Sequence, residues 1–597
     1  MINDIAKSKD VNNFLFVDIS PKGKFRTDNF FTANGLNHDL NYVFGELTPI
    51  FTREDGNRIL IILGHPSYDL TINFDKFIAN YTSGYFDLAQ INGEFLIVDF
   101  NKKNDKLSVV NSRFGSPMVF YALLNNRIIL STSYAILAKT LISNKFAKIN
   151  SVVFYELLRF RRVFNNHTFD TVSKYLPVAS NLKWSSDGRH SINKYWTHDY
   201  TKNNNSLIEN AEILNHLVKE SIQYKTSDKK KYGIMQSGGL DTRFVMSNFS
   251  DPPHAFTTTY EKNREYQVAK KIASIKGAEH TWIQINSDRY KNNFDKSSFA
   301  TGAMYMADSM FYGFNEIIRK ECDVIFSGFG MDYFFQGMYL PSKTVSIFGN
   351  DLPWYKRIDT IKGNMVDYFI DHISYYTKGA SIDLILSNNQ SIDMNDWIEY
   401  SISSQLNEAK KYSDNIYDVW EHMSLGDLSR HYTHGGQLAM SELTQHRVIG
   451  YTNELLDLYT SIPVEQRFDA RVLRKALYLS NKRLYKLISA NHGYPAGASS
   501  AQKCIYHIKK YWPEKVGLKQ KKRNFERTWL TSEEILRQEL YDKVVNLPNS
   551  QFLNELGIVD TKRLSSVIKS WKSGNTELNQ TAMVLLTIDS FYSQIVS

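Results

Sequence analysis

The chain has 597 residues, enough for several domains with their own buried cores. Its hydrophobic (42%), aromatic (14%) and charged (22%) fractions exclude wholesale disorder and a fibrous chain. Spread over this length, a net charge of +9 is a mild bias and no argument for nucleic acid, and two cysteines build neither a disulfide framework nor a multi-cysteine zinc site.

In chain order, the opening stretch "MINDIAKSKDVNNF" has no apolar core of a signal peptide. No apolar run anywhere approaches the roughly 18 residues of a membrane helix. With Cys322 and Cys504 read as reduced thiols, the expectation is a cytoplasmic protein with no membrane and no nucleic-acid partner. The first part reads as strand-rich. "FLFVDI" from Phe14 and "RILIILGH" from Arg58 are short apolar runs. "GEFLIVDFNKKNDKLSVVNS" and "MVFYALLNNRIILST" are paired apolar runs about a polar turn, with Asn125-Asn126 at the second turn, and predict hairpins. Polar "HDYTKNNNSLIEN" predicts a linker near Tyr200–Asn210.

The texture then changes. "KYGIMQ", "HAFTTTY" and "TWIQI" predict strands; "TRFVMSNF" and "EYQVAKKIASIKG" predict helices, the second ending at Gly277. Such alternation argues for a parallel sheet covered by helices. The last part reads as mostly helical, with "LLDLYTSI", "RVLRKALYLSNKRLYKLIS" and "TAMVLLTIDSFYSQIV" carrying apolar residues at helical spacing. The densest basic stretch, Lys509 to Arg527, reads as a solvated face or loop, or else as a dock for an acidic partner or an exit path for pyrophosphate.

The motif that carries chemistry is Ser237-Gly238-Gly239-Leu240-Asp241-Thr242, between a strand and a helix. Two glycines let the backbone turn and present N–H groups, and a helix N-terminus follows; together they suit an anion. Ser237 and Thr242 add hydroxyls, while Asp241 beside phosphate asks for a bridging Mg2+. The G-x-x-x-x-G-K-[ST] phosphate-loop pattern is absent. Alone, the string is equally compatible with an ordinary strand-to-helix turn. A second segment, "CDVIFSGFGMDYFFQG", again runs strand, Ser-Gly-x-Gly loop and Asp332. At the carboxyl ends of two strands of one open sheet, Asp241 and Asp332 can share a metal; the alternative is that Asp332 caps a helix.

These two loops resemble the signature loops of the asparagine synthetase family, which joins an N-terminal glutaminase-type domain to an ATP-pyrophosphatase domain. "INGEFLIVDFNKKNDKLSVVNSRFGSPMVFYAL", "YLPVASNLKWSSDGRHSINKYW" and "HAFTTTYEKNREYQVAKKIA" extend the resemblance, and "HRVIGYTNELLDLYTSIP" is a weaker echo of a family helix. The resemblance implies an α/β chain. Residues 1–198 would form an α+β sandwich of the Ntn-hydrolase type. Residues 199–597 would form a parallel-sheet ATP-pyrophosphatase domain with a helical C-terminal extension. It also implies ATP and Mg2+ as cofactors. Ser237, Gly238, Gly239, Leu240, Asp241 and Thr242 would hold ATP phosphates, Thr258 would lie at the adenine, Ser327 and Gly328 beside the nucleotide, and Asp241 and Asp332 on the magnesium. The implied chemistry is an ATP-dependent carboxylate–amine ligase: a small-molecule or peptide carboxylate becomes an acyl-adenylate, pyrophosphate leaves, and an amine displaces AMP.

The departures are specific. A glutaminase of this type uses an N-terminal Cys nucleophile; here Met1 precedes Ile2, and the family's "NGEIYN" pocket is replaced by "GHPSYD" from Gly64. No glutamine hydrolysis is expected, and the first domain is expected to survive as a structural or docking module. The family Glu after Ser-Gly is Phe329, which transfers no proton, and the Glu after the loop Asp is Tyr333. A family Lys aligns near His492. Tyr333 and His492 are the candidate acid–base groups, and Arg243 a candidate partner for phosphate or an acidic substrate. Loss of the nucleophile also fits relatives such as lasso-peptide cyclases and β-lactam synthetases, in which the amine belongs to the substrate. A catalytically silent nucleotide-binding scaffold is the other alternative. Acid, amine and oligomeric state stay open, a homodimer included.

Overall fold

The computed structural model describes residues 11–23, 29–84, 86–305, 311–347, 350–373, 382–387, 390–515 and 530–596. Most of the basic stretch ending at Arg527 lies outside them. The short apolar runs of the first part become antiparallel strands. One sheet takes β1 (Leu15–Pro21), β2 (Phe31–Asn34), β3 (His38–Phe44), β8 (Phe120–Leu124), β9 (Arg127–Ser131) and β10 (Lys174–Tyr175), in the order β10-β8-β9-β1-β3-β2. The other takes β4 (Ile50–Glu54), β5 (Arg58–Gly64), β6 (Phe95–Asn101), β7 (Lys106–Asn111), β11 (Ser180–Ser185) and β12 (His190–Lys194), in the order β12-β11-β7-β6-β5-β4. Both predicted hairpins form. Leu124 pairs with Arg127 across the Asn125-Asn126 turn, and Asn126 takes the left-handed conformation (φ 53°) that such a turn requires.

Because side chains alternate along a strand, each sheet has two faces to bury. Leu15, Val17 and Ile19 meet Ile59, Ile61 and Val98 in the core between the sheets. On the outer faces, helix α1 (Phe74–Thr82) packs Phe77, Ile78 and Tyr81 on Leu60, Ile62 and Ile97. Helix α2 (Tyr134–Ser143) packs Leu137 and Leu141 near Phe16, Phe120 and Ile129. The result is a helix–sheet–sheet–helix sandwich, the expected α+β architecture.

The predicted linker is extended up to Ser206, whose side chain and that of Glu209 form a capping box for α3 (Leu207–Lys225). It is tied down on the way: Lys202 Nζ donates to Asp418 at 2.8 Å and to the Thr460 carbonyl at 2.7 Å.

After α3 the sheet becomes wholly parallel. β13 (Tyr232–Met235), α4 (Asp241–Asn248), β14 (His254–Thr259), α5 (Arg264–Lys276) and β15 (His280–Gln284) run in that sequence, and Gly277 ends α5 at φ +75°. β16 (Val324–Ser327) and α6 (Met331–Phe335) follow. Then come an antiparallel hairpin of β17 (Ser342–Ile347) and β18 (Asn350–Ile358), helix α7 (His434–Ser441) and β19 (Gln445–Val448). The parallel order is β15-β14-β13-β16-β19. Two features differ from expectation. The β17–β18 hairpin precedes the stretch read as helical and answers to no predicted element. The segment "HRVIGYTNELLDLYTSIP", read as an echo of a helix, first supplies strand β19 and only then α8 (Asn453–Ser461). α9 (Arg471–Ser480) and the terminal α10 (Asn579–Val596) are helical as expected.

The two parts share one interface. Glu94 accepts from Lys225 Nζ at 3.1 Å and from the Val448 N–H at 2.9 Å, and Arg113 donates to Asp457 at 3.1 Å. α10 returns to α2, where Tyr134 and Phe591 stack at 5.9 Å and Lys139 Nζ reaches the Gln594 carbonyl 455 residues away at 3.0 Å. Among the described residues no helix is long and apolar enough to cross a membrane.

Candidate active site

From β13 the chain adds β14 and β15 on one side, then crosses back to place β16 and β19 on the other. That reversal opens a crevice at the carboxyl ends of β13 and β16, where ligands bind in open α/β sheets. The loops that follow these two strands are the two motifs, and they touch. A Cβ added to Gly328 would stand 2.9 Å from Asp241 Cβ, Thr242 Cγ2 and the Thr242 amide nitrogen. Only a glycine lets the second loop lie against the first helical turn of α4.

A cavity of about 200 Å3 opens over this junction. Ser237, Asp241, Thr242, Thr258, Ser327 and Gly328 all line it, together with Asp332. Ser237 Oγ and Thr242 Oγ1 lie 2.9 Å apart, and Ser237 Oγ accepts from the Gly239 N–H at 3.1 Å. The Gly238 N–H donates to Glu265 Oε1 at 2.6 Å, so a carboxylate already stands where the glycine loop presents a donor to an anion. Gly238 packs under Ala490: a Cβ on it would come within 2.5 Å of Ala490 Cβ.

Asp241 and Asp332 line the same cavity from their two separate loops. Burial pushes both carboxyls up from the usual range, and the Asp332 charge adds to the rise at Asp241, against a hydrogen bond from Gln336. Asp332 Oδ1 is buried and has no hydrogen-bond partner among the described residues. Two crowded carboxylates with an orphaned oxygen fit a hard divalent cation that takes oxygen ligands, with waters and phosphates completing its shell. Among the described residues no group of three or more His, Cys, Asp or Glu side chains suited to a metal forms.

The proposed acid–base pair is not at the cavity. Tyr333 is buried behind it, its hydroxyl 2.6 Å from that of Tyr451, and burial raises its pKa well above 10. The cause is angular: consecutive helical residues point apart, so Asp332 facing the cavity turns Tyr333 into the core. His492 is exposed and stacks on Tyr494 at 5.4 Å, beside the Ala490 strap but away from the lining. Arg243 meets neither phosphate nor a surface carboxylate. It is buried, and its guanidinium donates to the carbonyls of Gly238 (2.9 Å), Leu487 (2.8 Å) and Ile488 (2.8 Å), so it clamps the strap onto the glycine loop. Burial lowers it to about 10.

Three neighbours escaped the sequence reading. Glu265 sits in the first turn of α5, where an acid is ordinarily read as a favourable interaction with the helix dipole. Gln336 lies four residues beyond Asp332, a spacing that puts both on one helical face. His446 on β19 places Nε2 2.9 Å from Ser327 Oγ, and burial holds it down at about 3, hence neutral. Behind His446 a second cavity of about 90 Å3 lies between the two parts, lined by Glu94, Ser133, His434 and Gln437. His65, which stands in the segment replacing the family's glutamine pocket, lines it too, and its Nε2 lies 3.1 Å from Arg447.

Comparison with known proteins adds the following. Residues 214–483, less than half of the chain, match the asparagine synthase family model. No curated protein matches the sequence. Among solved structures, one titled as the allosteric regulatory enzyme of purine biosynthesis is similar at 8% identity. It covers 47% of this chain and 61% of its own, with a TM-score of 0.21. Glutamine phosphoribosylpyrophosphate amidotransferase from B. subtilis, solved with ADP and GMP, is similar at 8% identity over 47% of this chain and 62% of its own, with a TM-score of 0.19. The chain thus spans about three fifths of the length of either structure.

Proposed function

We propose that this protein, with an asparagine synthase domain over residues 214–483, activates a carboxylate as an acyl-adenylate and passes the acyl group to an amine. The observation that carries this reading is the convergence of Asp241 and Asp332, from two separate loops, on one cavity that Ser237 and Thr242 also line. Two like charges so close and so poorly solvated are an unfavourable arrangement unless a cation neutralises them.

In this reading one carboxylate oxygen of the acid attacks the α-phosphorus of ATP, and the bond from that phosphorus to the bridging oxygen of pyrophosphate breaks. The amine nitrogen then attacks the acyl carbon, AMP leaves, and the nitrogen loses a proton. Magnesium, when bound, supplies charge neutralisation to the departing pyrophosphate. The protein's own groups bind and orient. The hydroxyls of Ser237 and Thr242 and the N-terminus of α4 face the phosphates, while Glu265 keeps the Gly238 N–H. Thr258 takes the base side at the end of β14. Asp241 and Asp332 hold the cation, and the Arg243 clamp keeps Gly238 in register.

The test is pyrophosphate release from MgATP by the full chain, with pools of acids, with and without ammonia, beside isothermal titration of ATP. Asp241→Asn is expected to lower release at least 100-fold. ATP binding with no release from any pool would favour a nucleotide-binding scaffold, and absence of ATP binding would reject the reading.

A further inference from the structure

The reaction cavity has two sides, and the proposed function uses only one of them for the nucleotide base. The loop after β13 runs through the middle. On the β14 side stand Phe256, Thr257 and Thr258, the side taken by the base in the reading above. On the β16 side stand Phe329, Phe311 and Met440. Resting on that reading, we propose that the activated acid carries its carboxyl on an uncharged, largely apolar body seated against Phe311, Phe329 and Met440, and carries no second anionic group.

Charge is the first argument. The ionisable side chains that line the cavity among the described residues are Asp241, Asp332 and Glu265, all of them acids; no Lys, Arg or His joins them. A second carboxylate or a phosphate on the substrate would therefore be buried beside three acids with no counter-charge, a strongly unfavourable arrangement. The Arg243 guanidinium on α4 is spent on backbone carbonyls, and His446 sits half-buried behind Ser327. An α-ammonium fares little better, because Asp241 and Asp332 are committed to the cation and Glu265 accepts from the Gly238 N–H.

Shape is the second argument. The two rings are set by a glycine. A Cβ on Gly436 of α7 would come within 3.1 Å of Phe329 Cζ and 3.7 Å of Phe311 Cε2, so the bare backbone of α7 backs both rings. Phe329 also meets the His446 ring edge-on, with centroids 6.2 Å apart at 80°. Phe311 and Phe329 remain partly open, which gives a fixed apolar wall facing the cavity. Such a wall rewards an apolar body and offers nothing to a charged one.

ATP–pyrophosphate exchange by the full chain reads the adenylation step without any amine. The probes are 3-phenylpropionate and octanoate against aspartate and glutamate, with MgATP binding measured in parallel. The expected result is exchange with the apolar acids at a kcat/KM at least tenfold above that for either dicarboxylate. Phe329→Ala is expected to raise the KM for 3-phenylpropionate about tenfold and Phe329→Leu to recover most of it, with circular-dichroism melts showing both variants folded. Exchange driven better by aspartate or glutamate overturns the inference, as does a Phe329→Ala variant with unchanged KM. MgATP binding without exchange from the apolar acids overturns it while leaving the nucleotide site standing. Absence of MgATP binding overturns the proposed function itself.

Discussion

A side chain at position 328 has nowhere to go. Its Cβ would press on the Thr242 backbone nitrogen as well as on two side chains, and backbone does not yield as a flexible side chain does. Gly239 is the useful contrast, since a Cβ there would meet only Ser237 Oγ at 3.1 Å. Gly328→Ala is therefore expected to part the two loops, weakening ATP at least tenfold and costing about 1–3 kcal/mol of stability, as overpacking does. Gly239→Ala is expected to cost clearly less on both counts. Titration calorimetry and urea unfolding of the pair check this, and equal effects would mean that the loops do not need their contact.

At the scale of elements, α4 does two jobs with adjacent residues. Its first turn gives Asp241 and Thr242 to the cavity, and Arg243 points the other way, into the strap that follows α9. Charge-assisted hydrogen bonds are each worth about 1.5–3 kcal/mol, and the carbonyls they serve would be left unpaired. Arg243→Ala is expected to destabilise by about 3 kcal/mol or more and to expose the segment around Ile488 to protease, with Arg243→Lys intermediate. Unchanged digestion of that segment would show that something else holds it.

How far the elements were legible follows the same logic. The alternating strands and helices, the hairpins and the two glycine loops were readable because each is specified by neighbours in sequence: the period of apolar residues, a turn dipeptide, a glycine beside an acid. What was not readable is set by neighbours in space. Arg243 reads as a partner for phosphate or an acidic substrate until its carbonyl partners near Leu487 and Ile488 are known. Tyr333 reads as a site residue because it follows Asp332, yet helical geometry turns it to Tyr451. β19 is four residues long, too short for a period to declare itself, and it is a strand because β16 pairs with it.

Across the whole molecule the buried and half-buried histidines set an acid limit. His65, His198, His422, His431, His434 and His446 are all lowered from their ordinary value, chiefly by burial. In the unfolded chain they take up protons near pH 6.5; in the fold they stay neutral well below it. The unfolded state therefore binds more protons as pH falls under 6.5, and each imidazole removes up to about 1.4 kcal/mol of stability per pH unit. Carboxyls pushed up by burial, such as Asp18 and Glu442, offset part of this lower down. The melting temperature is expected to fall as pH is lowered from 6.5 to 5. A flat profile through pH 5 would mean that these rings are charged or solvated in the fold.

The return of α10 to α2 also has a consequence for how the protein is made. Lys139 leaves the ribosome 455 residues before the Gln594 carbonyl it binds. At about 5–20 residues per second, translation takes on the order of tens of seconds to cover that distance. Throughout that interval the nascent sandwich has Tyr134 without the Phe591 ring that later stacks on it, and with it the apolar face that α10 closes. The first layer of this protein is thus sealed only once its last helix has been made, and a nascent chain stalled before residue 579 would be a client for the cell's holding chaperones.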